Sequence, residues 1–541
     1  MHDWLERNVY SLARDFRLSY LPPLMVYVAA GISGLTAIVA TFFVKDYLGL
    51  SAEFLAALGF WAGLPWALKM PIGHLVDLIW RWKSVLVYLG ASLIALSLVI
   101  MIGLLAEPET MRRFARTEAW YVLAALLAPI GYVMQDVVAD AMTVEAVPHT
   151  ELDGTPIPED ARRAMHTTMQ TLGRVAIIGG SLLVSLANVV MLRGVQALPE
   201  AARIDTYVRV HQLALLIPAI SVAGIVLAAA LRQRRRRRMR AEGLTPAQID
   251  AAMAERILRP PVNWPVLGGG LAFAVISITI GLSEAPLFQR WGQEIIFVAS
   301  MSVIVFLMVR LVRELAPGAR ETLLGTAVVI FVFRALPGPG PGSTWWQIDE
   351  LGFDQQFLSE LSLIAALITL GGLFVFRRFM AERSIYYVVG LLSVLAFVLW
   401  LPIVGMYYGL HEWTAAQTGG IVDARFIAVV DTALESPLGQ IAMVPMLAWI
   451  ANSAPENLKA TYFAVMASFT NLALSASQLG TKYLNQVFVV TRQVKDAATG
   501  AITVAADYSQ LGHLLIVASV MTLVVPLIAI AAVQLARLRS A

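Results

Sequence analysis

The 541-residue chain contains no cysteine. Disulfides, thiol catalysis and cysteine-ligated metals are therefore excluded. Charge is also scarce: 14% of residues are Asp, Glu, Lys or Arg, against about 25% in a soluble globular protein. There is no phosphate loop, nucleophile elbow or zinc motif, and the seven histidines form no cluster, so no cofactor, metal or enzymatic chemistry is expected. Apolar residues fill the space instead: 58% of the chain is hydrophobic and the mean hydropathy is +0.71. Repeated apolar runs of about 20 residues identify an all-α polytopic membrane protein.

The runs place membrane helices at about 21–44, 53–79, 84–106, 118–146, 164–191 and 209–231, then at about 262–284 and 291–309. Six more fall at about 321–336, 355–376, 385–408, 424–451, 459–488 and 511–536, giving about fourteen spans arranged six, two, six. The implied organisation is an amphipathic N-terminus (1–20), a six-helix bundle (21–231), an Arg-rich linker with a short helix (232–261), an extra helix pair (262–320) and a second six-helix bundle (321–541). The run Pro337-Gly338-Pro339-Gly340-Pro341-Gly342 must break one helix. The first apolar run follows Arg7, Arg14 and Arg17 and lacks a small-residue cleavage site, so it reads as a retained helix.

Charge sets the orientation. With the N-terminus cytoplasmic, inside segments hold 25 of the 40 Lys and Arg residues and outside segments hold 11, as the positive-inside rule requires. The largest block, Arg234 to Arg238 with Arg232 and Arg240, anchors this topology and would attract anionic lipid. No nucleic-acid role is expected of a run flush against a membrane span. After it, Thr245 and Gln248 form a capping box, with Pro246 in the first turn. Ile249, Met253 and Ile257 then share one face of a cytosolic helix.

Ionisable residues inside the apolar runs are the candidate functional groups, because a charge at membrane depth costs about 2.5–3.5 kcal/mol on insertion scales. Lys69 is expected about two turns below the outer end of its span. It is a cation either for an anionic solute group or for an internal salt bridge with Asp136 or Asp140. Those two aspartates lie one turn apart and project from one face. They are candidates for proton coupling, with structural pairing to Lys69 and Arg174 as the plainer role. Arg174, beside Gly173, could clamp a carboxylate bidentately. In the second half Glu435 follows Asp431 by one turn and is a second proton-coupling candidate. Arg334 is placed near the outer end of its span, where snorkelling suffices, and Glu284 at the end of an extra span. Trp61, Trp66, Tyr132, Tyr462 and Phe463 could stack on a flat heterocycle. Asn471 and Gln478 could bridge helices or meet solute.

Gly73-His74-Leu75-Val76-Asp77-Leu78-Ile79-Trp80-Arg81-Trp82-Lys83 resembles the loop between the second and third helices of the major facilitator superfamily. Further stretches narrow the resemblance to its folate–biopterin transporter family. They are Phe42 to Ser51, Leu64 to Lys69, Gln135 to Asp140, Glu350 to Leu358, Gln440 to Pro445 and Ala460 to Ala464, followed by Asn471. In this chain Met70 separates Lys69 from Pro71, and Ile72 and Val76 stand where the family carries Tyr and Ser. The resemblance implies two six-helix bundles rocking about a midplane site, with the two extra helices as an addition. It implies gating roles for Gly73, Asp77, Arg81 and Lys83, with Gly73 allowing close helix approach and Asp77 pairing with an Arg or capping a helix of the other half. It also implies a folate- or pterin-like cargo. With no nucleotide motif, the expected activity is secondary, proton-coupled transport of a small anionic or zwitterionic solute across a bacterial inner membrane. A related carrier for another solute, such as a muropeptide or drug, in either direction, and a non-transporting scaffold are the alternatives.

Overall fold

The computed structural model describes residues 16–147, 157–246, 248–249, 262, 264–283, 285–312, 317–375, 384–438, 459–495 and 502–538. It is almost entirely helical. The first half begins with α1 (Leu21–Ile32), where Pro22 and Pro23 suit a first turn that needs no N–H partner, and continues as α2 (Ala37–Tyr47). The next rod is α3 (Ala52–Ala67), capped by Ser51, whose Oγ accepts from Phe54 N at 3.0 Å. It breaks at Leu68, three residues after Pro65, and resumes as α4 (Lys69–Leu78). Then come α5 (Ser84–Ala106), the short α6 (Pro108–Arg112), α7 (Thr117–Ala146), α8 (Glu159–Met191), α9 (Glu200–Ala214) and α10 (Leu216–Ala241). α10 does not stop where the apolar run stops. It carries the exposed arginines 234–238 as further helical turns, so the expected linker begins as helix.

α11 (Trp264–Leu282) and α12 (Pro286–Val312) form the extra pair. The second half comprises α13 (Pro317–Arg334), α14 (Pro341–Asp349), α15 (Gln355–Val375), α16 (Ile385–Tyr407), α17 (Leu410–Gln417), α18 (Ala424–Glu435), α19 (Lys459–Val487) and α20 (Leu511–Leu535). A small antiparallel hairpin, β1 (Val494–Lys495) with β2 (Ile502–Val504), precedes α20. The hairpin, α14 and α17 are absent from the hydropathy reading, which sees only long apolar runs. Eight helical stretches of the described residues are long and apolar enough to cross a membrane. Length and apolarity alone therefore do not return fourteen: α13, for example, has 18 residues and carries Arg320, Glu321 and Arg334. The span expected at about 424–451 is described only as far as Leu438, and the motif Gln440 to Pro445 lies outside the described residues, as do Met253, Ile257 and Glu284. The capping box after the Arg run is present, with Gln248 Oε1 accepting from Thr245 N at 2.9 Å and Thr245 Oγ1 accepting from Gln248 N at 3.3 Å.

Small residues set the helix crossings, as they do where lipid supplies no hydrophobic drive for association. A Cβ on Gly180 of α8 would lie 2.8 Å from the Gly31 Cα of α1, and one on Gly31 only 2.2 Å from the Ile177 carbonyl oxygen. Gly90 and Gly131 bring α5 and α7 together in the same way, each Cβ falling 2.5 Å from the other's carbonyl oxygen. The two halves meet along α3 and α19. There Gly59 and Gly63, four apart on one face, admit Gln478 and Ser475: a Cβ would fall 2.7 and 3.1 Å from their side-chain oxygens. The extra pair rests on this seam. Gln293 donates to the Ala57 carbonyl of α3 at 3.0 Å, and the neighbouring Glu294 accepts from Lys482 and Tyr483 of α19 at 3.1 and 2.5 Å.

The Pro–Gly run breaks the second half's first span in its interior. After Arg334 the chain runs extended along α19, and polar side chains of α19 satisfy its backbone in sequence. Ser477 Oγ donates to Leu336 O at 2.6 Å, Gly338 N donates to Thr481 Oγ1 at 3.0 Å, and Asn485 Nδ2 donates to Pro339 O at 3.2 Å. At 1.5 Å per residue, Ser477 lies about 15 Å from the Val487 end of α19. Arg334 therefore sits deep in the bundle, not near the end of its span, and α14 completes the span beyond the break.

These crossings make a sharp test of the packing. Gly180→Ala should lower stability by about 1–3 kcal/mol, the usual cost of overpacking, while Gly179→Ala, with nothing within 4 Å of its Cβ, should change little. Detergent-solubilised thermal melts of the two variants make the comparison, and equal melting temperatures would show that the α1–α8 crossing is slack.

Candidate functional site

The apolar interior of the first half encloses an ionic cluster around Lys69. Lys69 is the first residue of α4, immediately after the break at Leu68. It lies 17 residues beyond Ala52, about 25 Å along the rod, and is thus far deeper than two turns. Its Nζ is 2.6 Å from Asp136 Oδ2 and 2.8 Å from Asp140 Oδ2. Both carboxylates come from the same face of α7, and one ammonium bridges them. Tyr27 of α1 completes the cluster by donating its hydroxyl to Asp140 Oδ1 at 2.7 Å. Four polar side chains from three rods thereby satisfy one another, as buried charge requires. Asp140 is the more open of the two acids, with its side chain 43% exposed against 16% for Asp136.

Arg174 approaches this cluster from α8. Its charge is felt at Asp136 and Tyr27, yet no carboxylate of the described residues lies within 4 Å of it. Gly173 beside it explains the fit: a Cβ there would fall 2.9 Å from the Tyr27 ring, so glycine lets Tyr27 reach Asp140. Tyr132 stands one turn before Asp136 on α7 and packs against the main apolar cluster of the first half. Trp66 packs with Ile72, Met134 and their neighbours, and its carbonyl accepts from Asn471 Nδ2 across the seam at 3.4 Å. Tyr462 and Phe463 lie on α19, with side chains outside the described ones. Trp61 packs against Gly281 of the extra pair, away from the cluster.

In the second half, Asp431 and Glu435 lie one turn apart on α18. Asp431 is 8% exposed, and its Oδ1 has no hydrogen-bond partner among the described residues. They are not brought to the Lys69 cluster by any described contact.

The residues singled out for gating fall at the Arg-rich end. Lys83 pairs with Glu145 at 2.6 Å and lies 3.9 Å over the Trp80 ring, and Arg232 pairs with the same glutamate. All of these belong to the first half. Asp77 is half-buried and makes no ion pair among the described residues, and the Arg81 side chain is not among those described. Gly73 is not needed for close approach in this conformation, since a Cβ would meet only Val137 Cγ1 at 3.8 Å.

The opposite end holds polar bridges that the sequence reading missed. Asp349, the last residue of α14, takes Lys45 of the first half at 2.5 Å and accepts from the Tyr508 hydroxyl of the second at 2.5 Å. Burial, together with that bond to Asp349, raises the Tyr508 phenol well above its usual range, so it remains a donor. Around this clamp, Arg492 donates to the Leu50 carbonyl at 2.9 Å, Gln486 to Glu53 at 2.6 Å, Gln355 to the Tyr207 hydroxyl at 2.7 Å, and Gly194 N to Gln356 at 3.2 Å. Apart from the Tyr508–Asp349 bond, every one of these joins the two halves. Lys45 and Glu350 both stood in motifs carrying the family resemblance, but nothing in the sequence pairs position 45 with 349.

Removing the central cation should be costly. Lys69→Met leaves two carboxylates facing each other, and breaking a buried pair costs about 3–5 kcal/mol. The double variant Lys69→Met/Asp136→Asn should recover part of that loss in detergent melts. Full stability of Lys69→Met alone would show the cluster to be solvated and not structural.

Comparison with known proteins agrees with this architecture. The BT1 family profile matches residues 284–539. The folate-biopterin transporter of Synechocystis sp. is 22% identical over 458 residues, covering 83% of this chain and 71% of that one. Among solved structures, the peptide transporter POT in complex with sulfate superposes with a TM-score of 0.59 at 18% identity, over 97% of this chain and 96% of that one. A D-xylose-proton symporter does so with a TM-score of 0.51 at 14% identity, over 95% of each. The chain accordingly has several apolar helices, shares the fold of these solved transporters, and resembles the folate–biopterin transporter of Synechocystis sp. in sequence.

Proposed function

We propose that this protein is a secondary active transporter that moves a small anionic or zwitterionic organic solute, folate- or pterin-like, by proton-coupled alternating access. The single observation that carries the reading is Lys69 held between Asp136 and Asp140. These acids take two of the three ammonium donors of Lys69, so a carboxylate of the solute engages it fully when one acid lets go. The three side chains carry a net formal charge of −1, so an approaching anion is repelled. Protonating one aspartate releases part of the lysine and removes the excess charge. Proton and anion then favour each other's binding, which is the reciprocal coupling that symport needs. Asp140, open and paired with Tyr27, is placed to exchange the proton, and Asp136 to carry the change to Lys69. Arg174 supplies a second cation, while Trp66, Tyr132, Tyr462 and Asn471 supply faces and amides for a flat heterocycle. Asp431 and Glu435 would form a second titrating pair.

In this reading the chain crosses a cell inner membrane about fourteen times with the Arg-rich end in the cytoplasm. The exposed arginines of α10 meet anionic lipid there. The bridges around Asp349 shut the outer end, and Gly73, Asp77, Arg81 and Lys83 would form the opposing closure in the other half of the cycle, Lys83 giving up its pairing with Glu145.

Two outcomes are expected. In proteoliposomes, Asp136→Asn should remove the pH dependence of folate uptake; uptake that keeps its pH profile would strike Asp136 from the coupling path. Because the chain lacks native cysteines, Lys45→Cys/Asp349→Cys introduces the sole thiol pair. Joining it with a short bis-methanethiosulfonate, which forms a disulfide at each cysteine, should arrest uptake, with recovery on reduction, and undiminished uptake would show that this end never opens.

A further inference from the structure

The second half contributes one charge that the mechanism above does not use. Arg334 ends α13 at the broken point of its span. Its Nε donates to the Thr470 carbonyl of α19 at 3.3 Å. Thr470 lies 17 residues from Val487 and 11 from Lys459, about 25 and 16 Å along α19 respectively. The guanidinium is thus near mid-membrane, out of snorkelling reach of the end at Val487. No carboxylate of the described residues lies within 4 Å of it, and one carbonyl is poor compensation for a buried cation. Lysines and arginines persist at such depth when they face a wet cavity or bind an anion.

Its level matches that of the first-half cluster. Asn471, the residue after Thr470, donates to the Trp66 carbonyl, one turn before Lys69. Ile330 of α13 belongs to the same apolar cluster as Ala67 and Met70, which flank Lys69 closely in sequence, and Phe331 packs against that cluster. Arg334 is one turn beyond Ile330. The break in the span also has a purpose at this site: interrupted membrane helices commonly mark the midplane binding site of carriers.

We propose that Arg334 is the second half's anion-binding residue, engaging a carboxylate of the same solute whose other charged group reaches Lys69 or Arg174. This rests on the anionic-solute reading above. Both halves then hold one solute, and its charges supply the counter-ion that the described residues do not give Arg334. An arginine offers two parallel N–H donors to a carboxylate, so lysine should substitute only in part.

The test compares folic acid, which carries a glutamate tail, with biopterin, which has no carboxylate, by thermal-shift titration of the full-length protein in detergent. Arg334→Gln should weaken folic acid about 10- to 100-fold, the range for a charged hydrogen bond, and leave biopterin unchanged. Arg334→Lys should fall between. Equal loss for both ligands, or none for folic acid, would overturn the assignment. A wild-type protein that binds neither compound refutes the folate- or pterin-like cargo but not the arginine. A second arm then decides. Arg334→Cys, the sole thiol in the chain, should react with a membrane-impermeant methanethiosulfonate if the position faces water. Reaction supports a cavity-facing cation, whereas a thiol inert to the reagent in a folded protein overturns the proposal.

Discussion

A lysine cannot stand alone in hydrocarbon, and the first half of this protein is organised around that constraint. Lys69 is surrounded by two acids of α7 and, through Asp140, by the hydroxyl of Tyr27 on α1. The helix positions follow from this. α4 must begin at Lys69, which the Pro65 break allows. α7 must present residues 136 and 140 to it. α1 must come close enough for a tyrosine to reach, which glycine at 31, 173 and 180 permits. Substituting any of these glycines pushes on the rod that holds a charge partner, so packing and electrostatics are not separable here.

The two ends of the molecule then differ in kind. At the Arg-rich end, Lys83, Glu145 and Arg232 are bound within one half. At the other end, Asp349 sits between a lysine of the first half and a tyrosine of the second. In the proposed cycle, bonds within a half travel with it as a rigid body, whereas bonds between halves must break when the halves rock. The asymmetry therefore distinguishes structural ion pairs from those that define a conformational state, a distinction that counting salt bridges cannot make.

Much of this was legible in the sequence, for definite reasons. Apolar runs locate helices because a chain in lipid must satisfy its own backbone, and Lys69, Asp136 and Asp140 are conspicuous because charges are so costly there. The four-residue spacing of the acids already put them on one face. Depth was less legible: Lys69 and Arg334 both lie deeper than the runs suggested, because helix breaks at Leu68 and at the Pro–Gly run shift where a span begins and ends. Short helices such as α14 carry no hydropathy signature. The pairing of residue 45 with 349, and of Tyr27 with Asp140, depends on tertiary packing between distant segments, which periodicity does not encode.

The broken span shows how a polar ladder can make irregular backbone tolerable inside a membrane. Residues 335–340 form no helix, and three prolines at 337, 339 and 341 remove N–H groups that would otherwise need partners. What remains is met by α19: a serine for Leu336 O, a threonine for Gly338 N, an asparagine for Pro339 O. These side chains recur at intervals of four along one face of α19, so the extended strand lies in register with a helix. An adjoining face of the same helix packs on Gly59 and Gly63 of the first half. α19 thus carries the broken span and the inter-half seam on neighbouring faces. Any rocking at that seam is transmitted directly to the end of α13, where Arg334 stands, and to α14, where Asp349 closes the far end.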